Sequence, residues 1–280
     1  MTAAEMQEEF LILYDKITNF DAPGYTDEEI SRFLSRAQER FVLHVYNPMG
    51  NKYLTGFEGT EKRRKDLSEL VRDVDLTAAP TASPTGFTIA VNGQTDDSDN
   101  RQIGSKADGT FFELPTDFLY TIQEEATIED PCATQPVDTA EPKITKIIEV
   151  KPITHDYYLK NKKNPYKKPY DELVWRLDFS KVKFSSTPNG GTAENKEHKR
   201  HELITDANTT VTEYRVRYIK KPNPIITATG ITIEGVTTVS NCELNSITHR
   251  AIVDEAVALA SGVTNPETFQ IRRGEAGLSE

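Results

Sequence analysis

The chain predicts an α+β protein: a helical bundle from two or three N-terminal helices and a C-terminal helix, with an inserted antiparallel β domain. Three observations carry this expectation. Apolar residues recur at helical spacing through much of residues 1–75, at strand spacing within 111–240, and at helical spacing again in 241–262. The 280 residues then divide into a helical bundle part (1–75), a long loop or arm (76–110), a β-rich domain (111–240), a helix returning to the bundle (241–262) and a tail (263–280).

Thr2 and Glu5 form a capping box, and the helix after them places Met6, Phe10, Leu13, Tyr14 and Ile17 on one face. Pro23-Gly24 is a turn that folds this helix back as a hairpin onto the next. Thr26 caps the second helix, Glu29 completes its box, and Asp27, Glu28 and Glu29 put negative charge where the dipole favours it. Ile30, Phe33, Leu34, Ala37, Phe41 and Val45 face inward, with Arg32, Arg36 and Arg40 opposite and Glu28 set to pair with Arg32. Asn47-Pro48 stops it, and His44 on the apolar side reads as a core or interface residue. A third helix is expected over Glu61 to Asp73, with Leu67, Leu70, Val71 and Val74 inward. It opens on Lys62-Arg63-Arg64-Lys65, the end the dipole makes unfavourable for cations.

From Leu76 to Gly109 the composition turns to Ala, Thr, Pro, Gly, Asp and Ser, an arm with at most a short strand at Phe87 to Val91. Strands are expected at Tyr120–Ile128, Ile144–Val150, Leu173–Phe179, Val182–Phe184, Glu202–Thr205 and Glu213–Lys220. Pro188-Asn189-Gly190-Gly191 begins a flexible excursion ending near His201, and a short hairpin follows around Ile225 to Val239. Asn245 or Ser246 caps a last helix over Ile247 to Ser261, stopped by Gly262, whose small residues suit close packing on the two N-terminal helices.

Charge and motif content exclude several classes. A formal charge of −11 argues against a DNA binder that works by counterion release. The acidic N-terminus predicts no leader, and the apolar run Ala251–Ala260 is too short and too interrupted to span a membrane. Cys132 and Cys242 are the only cysteines, which excludes a disulfide framework and points to two reduced thiols. Phosphate loops, dinucleotide turns, nucleophile elbows and zinc-protease helices are missing from the sequence, so no enzymatic activity and no cofactor are expected. Asp96-Asp97-Ser98-Asp99-Asn100 lacks the Gly of a calcium loop, and Arg101 intrudes. His198 and His201 are three apart, but Lys199-Arg200 between them opposes a cation, so they read as an exposed polar loop.

One basic concentration stands within the β region: Lys160 to Lys168, with Lys162, Lys163, Lys167 and Lys168 interleaved with Tyr166 and Tyr170. Read blandly it is a solvated loop; read functionally it contacts an acidic neighbour, including another copy of this acidic chain.

Three stretches carry a resemblance: Pro23 to Ile30 leading to Ala37-Gln38; Phe112-Glu113-Leu114-Pro115-Thr116-Asp117-Phe118-Leu119-Tyr120; and Cys242-Glu243-Leu244 through His249, Ile252-Val253 and Ala256. Pro152 to Tyr157, Asn164-Pro165-Tyr166 and Tyr214 through Lys221-Pro222 add to it. In this order they resemble the head-to-tail connector (adaptor) proteins of tailed phages, most of all those of crAss-like short-tailed phages. The resemblance covers most of the chain outside residues 76–109. It implies a virion structural protein, assembled in the host cytoplasm, that forms a homo-oligomeric ring of about twelve copies below the portal protein. Such a ring extends the DNA channel, contacts other tail ring or fibre proteins, and lets DNA pass without specific binding. An acidic lumen suits that passage. By position the resemblance assigns portal docking to Phe269, Ile271, Arg272 and Arg273 in the tail. Two rivals stay open at this level: a hydrolase or nuclease in which His155, His201 or His249 meets carboxylates in one cleft, and a monomeric fibre-attachment module.

Overall fold

Local capping decides where the helices begin. The computed structural model describes residues 1–18, 24–47, 56–77, 94–95, 102–103, 109–130, 144–170, 172–184, 196–206, 209 and 211–264. In chain order the elements are α1 (Ala3–Thr18), α2 (Asp27–Tyr46), α3 (Glu61–Asp66), β1 (Val71–Thr77), β2 (Gln94–Thr95), β3 (Gln102–Ile103) and β4 (Gly109–Glu113). They continue with β5 (Phe118–Glu129), β6 (Thr145–Pro152), α4 (His155–Asn161), β7 (Leu173–Phe184), β8 (Lys196–Ile204), β9 (Val211–Lys220) and α5 (His249–Thr264). The protein is α+β, and it divides into two compact units, Met1–Val71 with Ile219–Glu280, and Arg72–Tyr218.

In the first unit both expected capping boxes form. Thr2 N donates to Glu5 Oε2 (2.8 Å), and Thr26 N donates to Glu29 Oε2 (2.9 Å). Helix α5 packs against both α1 and α2. Met6, Phe10, Ile30, Leu34, Ala37, Ile252 and Ala256 are buried there, while Phe33 stacks on Phe10 at 6.4 Å between ring centroids. Tyr25 Oη donates to Ala260 O (3.1 Å), and Arg40 pairs with Glu255 (3.1 Å). A second buried stripe of α2 is polar. Ser35 Oγ accepts from Ile225 N (3.0 Å), Gln38 Nε2 donates to Asn223 O (2.8 Å), and Ser31 Oγ meets Thr227 Oγ1 (3.0 Å). Asn223 O, Ile225 N and Thr227 N thus find their partners on α2 side chains, while Ile226 between them pairs with the backbone of Ser240.

Several expectations need correction in the helical unit. The third helix ends at Asp66, where a 3-10 turn at Ser68–Leu70 leads directly into β1. Leu67 and Leu70 are buried as expected, but Val74 packs from a strand against the sheet core. Gly262 does not stop the last helix, which runs to Thr264. The expected hairpin near Ile225 is reduced to two isolated bridges, Ile226 with Ser240 and Ile233 with Val236. Its tip, Glu234-Gly235, sits at φ 50° and 83°, the pair of left-handed residues a two-residue turn requires.

The second unit is a seven-stranded sheet in the order β1-β9-β5-β6-β7-β8-β4. Phe112 of edge strand β4 meets Tyr214 of β9 at 5.2 Å between ring centroids, so the sheet curls until strands far apart in order share one core. Ala126, Ile128, Val150, Val174, Leu203 and Val216 fill it. The sheet is not wholly antiparallel: β6 and β7 run parallel, with Val150 beside Val174. Leu173–Phe184 is one strand broken by an irregularity between Phe179 and Val182, and β8 starts at Lys196 inside the expected excursion. Within the expected arm, β2 and β3 pair antiparallel, and Phe87–Val91 lies outside the described residues.

Candidate interaction surface

A parallel pair cannot be joined by a tight turn, so residues 153–172 must carry the chain back from the end of β6 to the start of β7. The basic concentration sits on this crossover. Thr154 Oγ1 accepts from Tyr157 N (3.2 Å) and caps α4. Ile153, Tyr157 and Tyr158 pack onto Trp175, Leu177 and Ile204, with Tyr157 edge-on to Trp175 at 5.6 Å. Two asparagines build the bend, one ending α4 and one just beyond it. Asn161 Nδ2 donates to Tyr157 O (2.9 Å), while Asn164 Oδ1 accepts from Tyr166 N (3.0 Å) and Asn164 O from Lys168 N (3.0 Å). Lys146 pairs with Glu172 (3.2 Å) at the base of the crossover.

With the inward positions filled by tyrosines, the lysines face solvent. Lys162, Lys163, Lys167 and Lys168 are all exposed, and none has an ion-pair partner among the described residues. Lys162 Nζ stands over the Tyr158 ring at 5.6 Å. Tyr166 is 95% exposed and Leu159 61%, so apolar surface is interleaved with the charge. Ile147, on the sheet face that also carries Trp175, is 68% exposed. Of the residues assigned to partner contact from sequence, these four lysines come together; Phe269, Ile271, Arg272 and Arg273 lie outside the described residues.

The histidines behave differently from expectation. His201 is not in an exposed loop but buried in β8, where its Nδ1 meets Tyr214 Oη (2.8 Å) and its Nε2 lies 3.2 Å from Asp178 Oδ1. Tyr214 Oη donates to Glu124 Oε1, which also receives Arg176 Nη1 (2.6 Å). Burial, followed by the Arg176 guanidinium, holds the imidazole down to about 3, so it is neutral. Burial also raises the Glu124 carboxyl, against the opposing pull of Arg176. This cluster brings a histidine to carboxylates, and among the described residues the opening beside it meets it only at Glu124. The opening lined by Asp73, Gln123, Glu124, Glu125, Arg215 and Arg217 holds about 40 Å³, enough for a few waters. His249 is buried between the Met1 amine (3.0 Å) and Leu244 O (2.9 Å), and His155 is exposed. Burial pushes the Cys242 thiol up to about 11, which makes it unreactive; Cys132 and Asp96–Asn100 are outside the described residues.

Sequence patterning missed that Leu159 would be exposed and that Tyr157 and Tyr158 would be covered. A helix of seven residues is too short for its face to be read from periodicity. Among the described residues no helix is long and apolar enough to cross a membrane.

The phage tail ring protein 3/4 family matches this chain over residues 1–270. The chain is 34% identical over 269 residues to ring protein 4/5 of Bacteroides phage crAss001, an alignment covering 93% of this chain and 92% of that protein. It is 29% identical over 266 residues to ring protein 3 of the same phage, covering 93% and 95%. A surface of exposed lysines interleaved with exposed aromatic and aliphatic side chains accords with a protein that works by contact. The chain belongs to the phage tail ring protein 3/4 family: it is a structural protein of a phage tail and not an enzyme.

Proposed function

We propose that this chain forms a head-to-tail connector: a closed ring of about twelve copies, seated below the portal, that extends the DNA channel and joins capsid to tail. The observation that carries the reading is a likeness running along nearly the whole chain to two differently numbered ring proteins of one phage. The charge of −11 supports it, because an anionic lining lets DNA slide through without adhering. Other tail ring or fibre proteins bind the faces that the portal does not. In this account the ring is assembled in the host cytoplasm, and the sheet unit Arg72–Tyr218 is an insert within the helical unit built from the two ends of the chain.

Phe269, Ile271, Arg272 and Arg273 dock on the portal, two apolar side chains beside two cations at the end of an acidic chain. Truncation from Asn265 onward tests this, since it leaves every described element in place. The expected outcome is an unchanged melting curve and loss of co-sedimentation with portal rings. Unchanged portal binding would reject the docking role.

A further inference from the structure

We propose that the basic crossover of one copy docks on the acidic outer stripe of α1 of the next copy, and that this is the contact that repeats around the ring. The inference rests on the ring reading above and names its partner surface. A ring of more than two copies is heterologous: each copy must present two different, mutually complementary patches.

The first patch is the crossover. Lys162, Lys163, Lys167 and Lys168 repel one another within one short bend, and no carboxylate of the described chain offsets them. The Tyr166 side chain, almost wholly exposed among them, supplies the rigid aromatic anchor that interfaces favour. Such a patch calls for an acidic surface with an apolar centre.

The second patch meets that description. Glu5, Glu8 and Ile12 lie three and four residues apart on α1, hence on one stripe. Ile12 is 56% exposed, and Glu8 has no partner among the described residues. Glu9 beside them reaches Arg250 only at 3.9 Å. The exposed acids of α2 and β1 are already engaged: Glu28 holds Arg32 (2.7 Å), Glu29 serves the cap, and Asp73 holds Arg215 (2.6 Å). On α1, where Glu5 serves its own cap, Glu8 keeps a carboxylate without a partner among the described residues one turn from the exposed Ile12.

Two charge-reversed full-length proteins test the pairing, one carrying Lys163→Glu with Lys167→Glu, the other Glu8→Lys with Glu9→Lys. Native mass spectrometry at low salt reads assembly, and melting curves matching wild type establish folding. Each reversed protein alone is expected to lose ring assembly at least tenfold, because like charges then face each other at every contact. A mixture of the two restores rings of alternating copies, since each reversed patch then meets its complement. Rings from either reversed protein alone, or no recovery in the mixture, would overturn the pairing while leaving the ring intact as a reading. A wild-type chain found as single copies both in solution and in isolated tails would overturn the ring reading, and the pairing with it.

Discussion

In the unit built from the two ends of the chain, the polar side chains buried on α2 are uncharged and serve backbone. Ser31, Ser35 and Gln38 accept from or donate to residues 223–227, and the interior around them is aliphatic and aromatic. In the sheet unit one buried polar cluster is ionisable and its members serve one another: Glu124, Arg176, His201 and Tyr214 meet inside the curl, with the Arg176 and Glu124 side chains 9% and 6% exposed. The first arrangement costs little, since each hydroxyl or amide replaces a water bond with a protein bond. The second carries a large desolvation cost that only a complete network offsets. The contrast teaches that the two units will fail differently when a single group is removed.

The largest effect is expected from Glu124→Ala, which takes the Tyr214 hydroxyl's acceptor and the buried carboxylate that faces Arg176, leaving that guanidinium only Thr121 and the exposed Asp178. Urea unfolding should register a loss of about 3–5 kcal/mol. Replacing both ions, Glu124→Leu with Arg176→Met, should cost less than the single change; equal losses would mean the pair is not what the sheet depends on.

Acid should sharpen the same contrast. The unfolded chain takes up a proton on His201 at its ordinary value near 6.5, whereas the folded chain resists until about 3. Stability is therefore lost as pH falls through that window, by up to about 1.4 kcal/mol per unit of pH. Glu124 works with the opposite sign, because its raised carboxyl takes up a proton in the folded state first. The expected reading is a difference: wild type should weaken relative to His201→Gln as pH drops from 6.5 toward 4, and parallel curves would contradict a buried neutral imidazole.

Ser35→Ala moves the comparison to the helical unit. It leaves Ile225 N–H without its acceptor and should cost about 1–2 kcal/mol by denaturant melt. An effect as large as that of Glu124→Ala would erase the distinction between the units. Smallest of the set, Thr26→Ala removes one end of the capping box and should cost about 1 kcal/mol, with slightly earlier fraying of α2 by hydrogen exchange.

What the sequence made legible follows from how local each feature is. The boxes at Thr2 and Thr26 are four-residue signals and appear where expected. The end of α3 was misjudged because Leu67, Leu70, Val71 and Val74 fit a helical stripe as well as they fit a turn entering a strand. The parallel β6–β7 pair was invisible, since strand direction is settled by pairing partners and not by alternation. The buried cluster draws Glu124, Arg176, His201 and Tyr214 from four separate strands, so His201 looked like one more polar residue in a basic run. The lysine-rich crossover showed in composition alone, but which tyrosines it covers and which it exposes depended on Asn161 and Asn164 bending the chain.

Electron microscopy of isolated tails, with this chain labelled, tests the central claim most directly. The account predicts a closed ring of about a dozen copies around the DNA channel, with the Lys162–Lys168 bend at the boundary between neighbouring copies. A single copy per tail, or copies that do not touch, would contradict it.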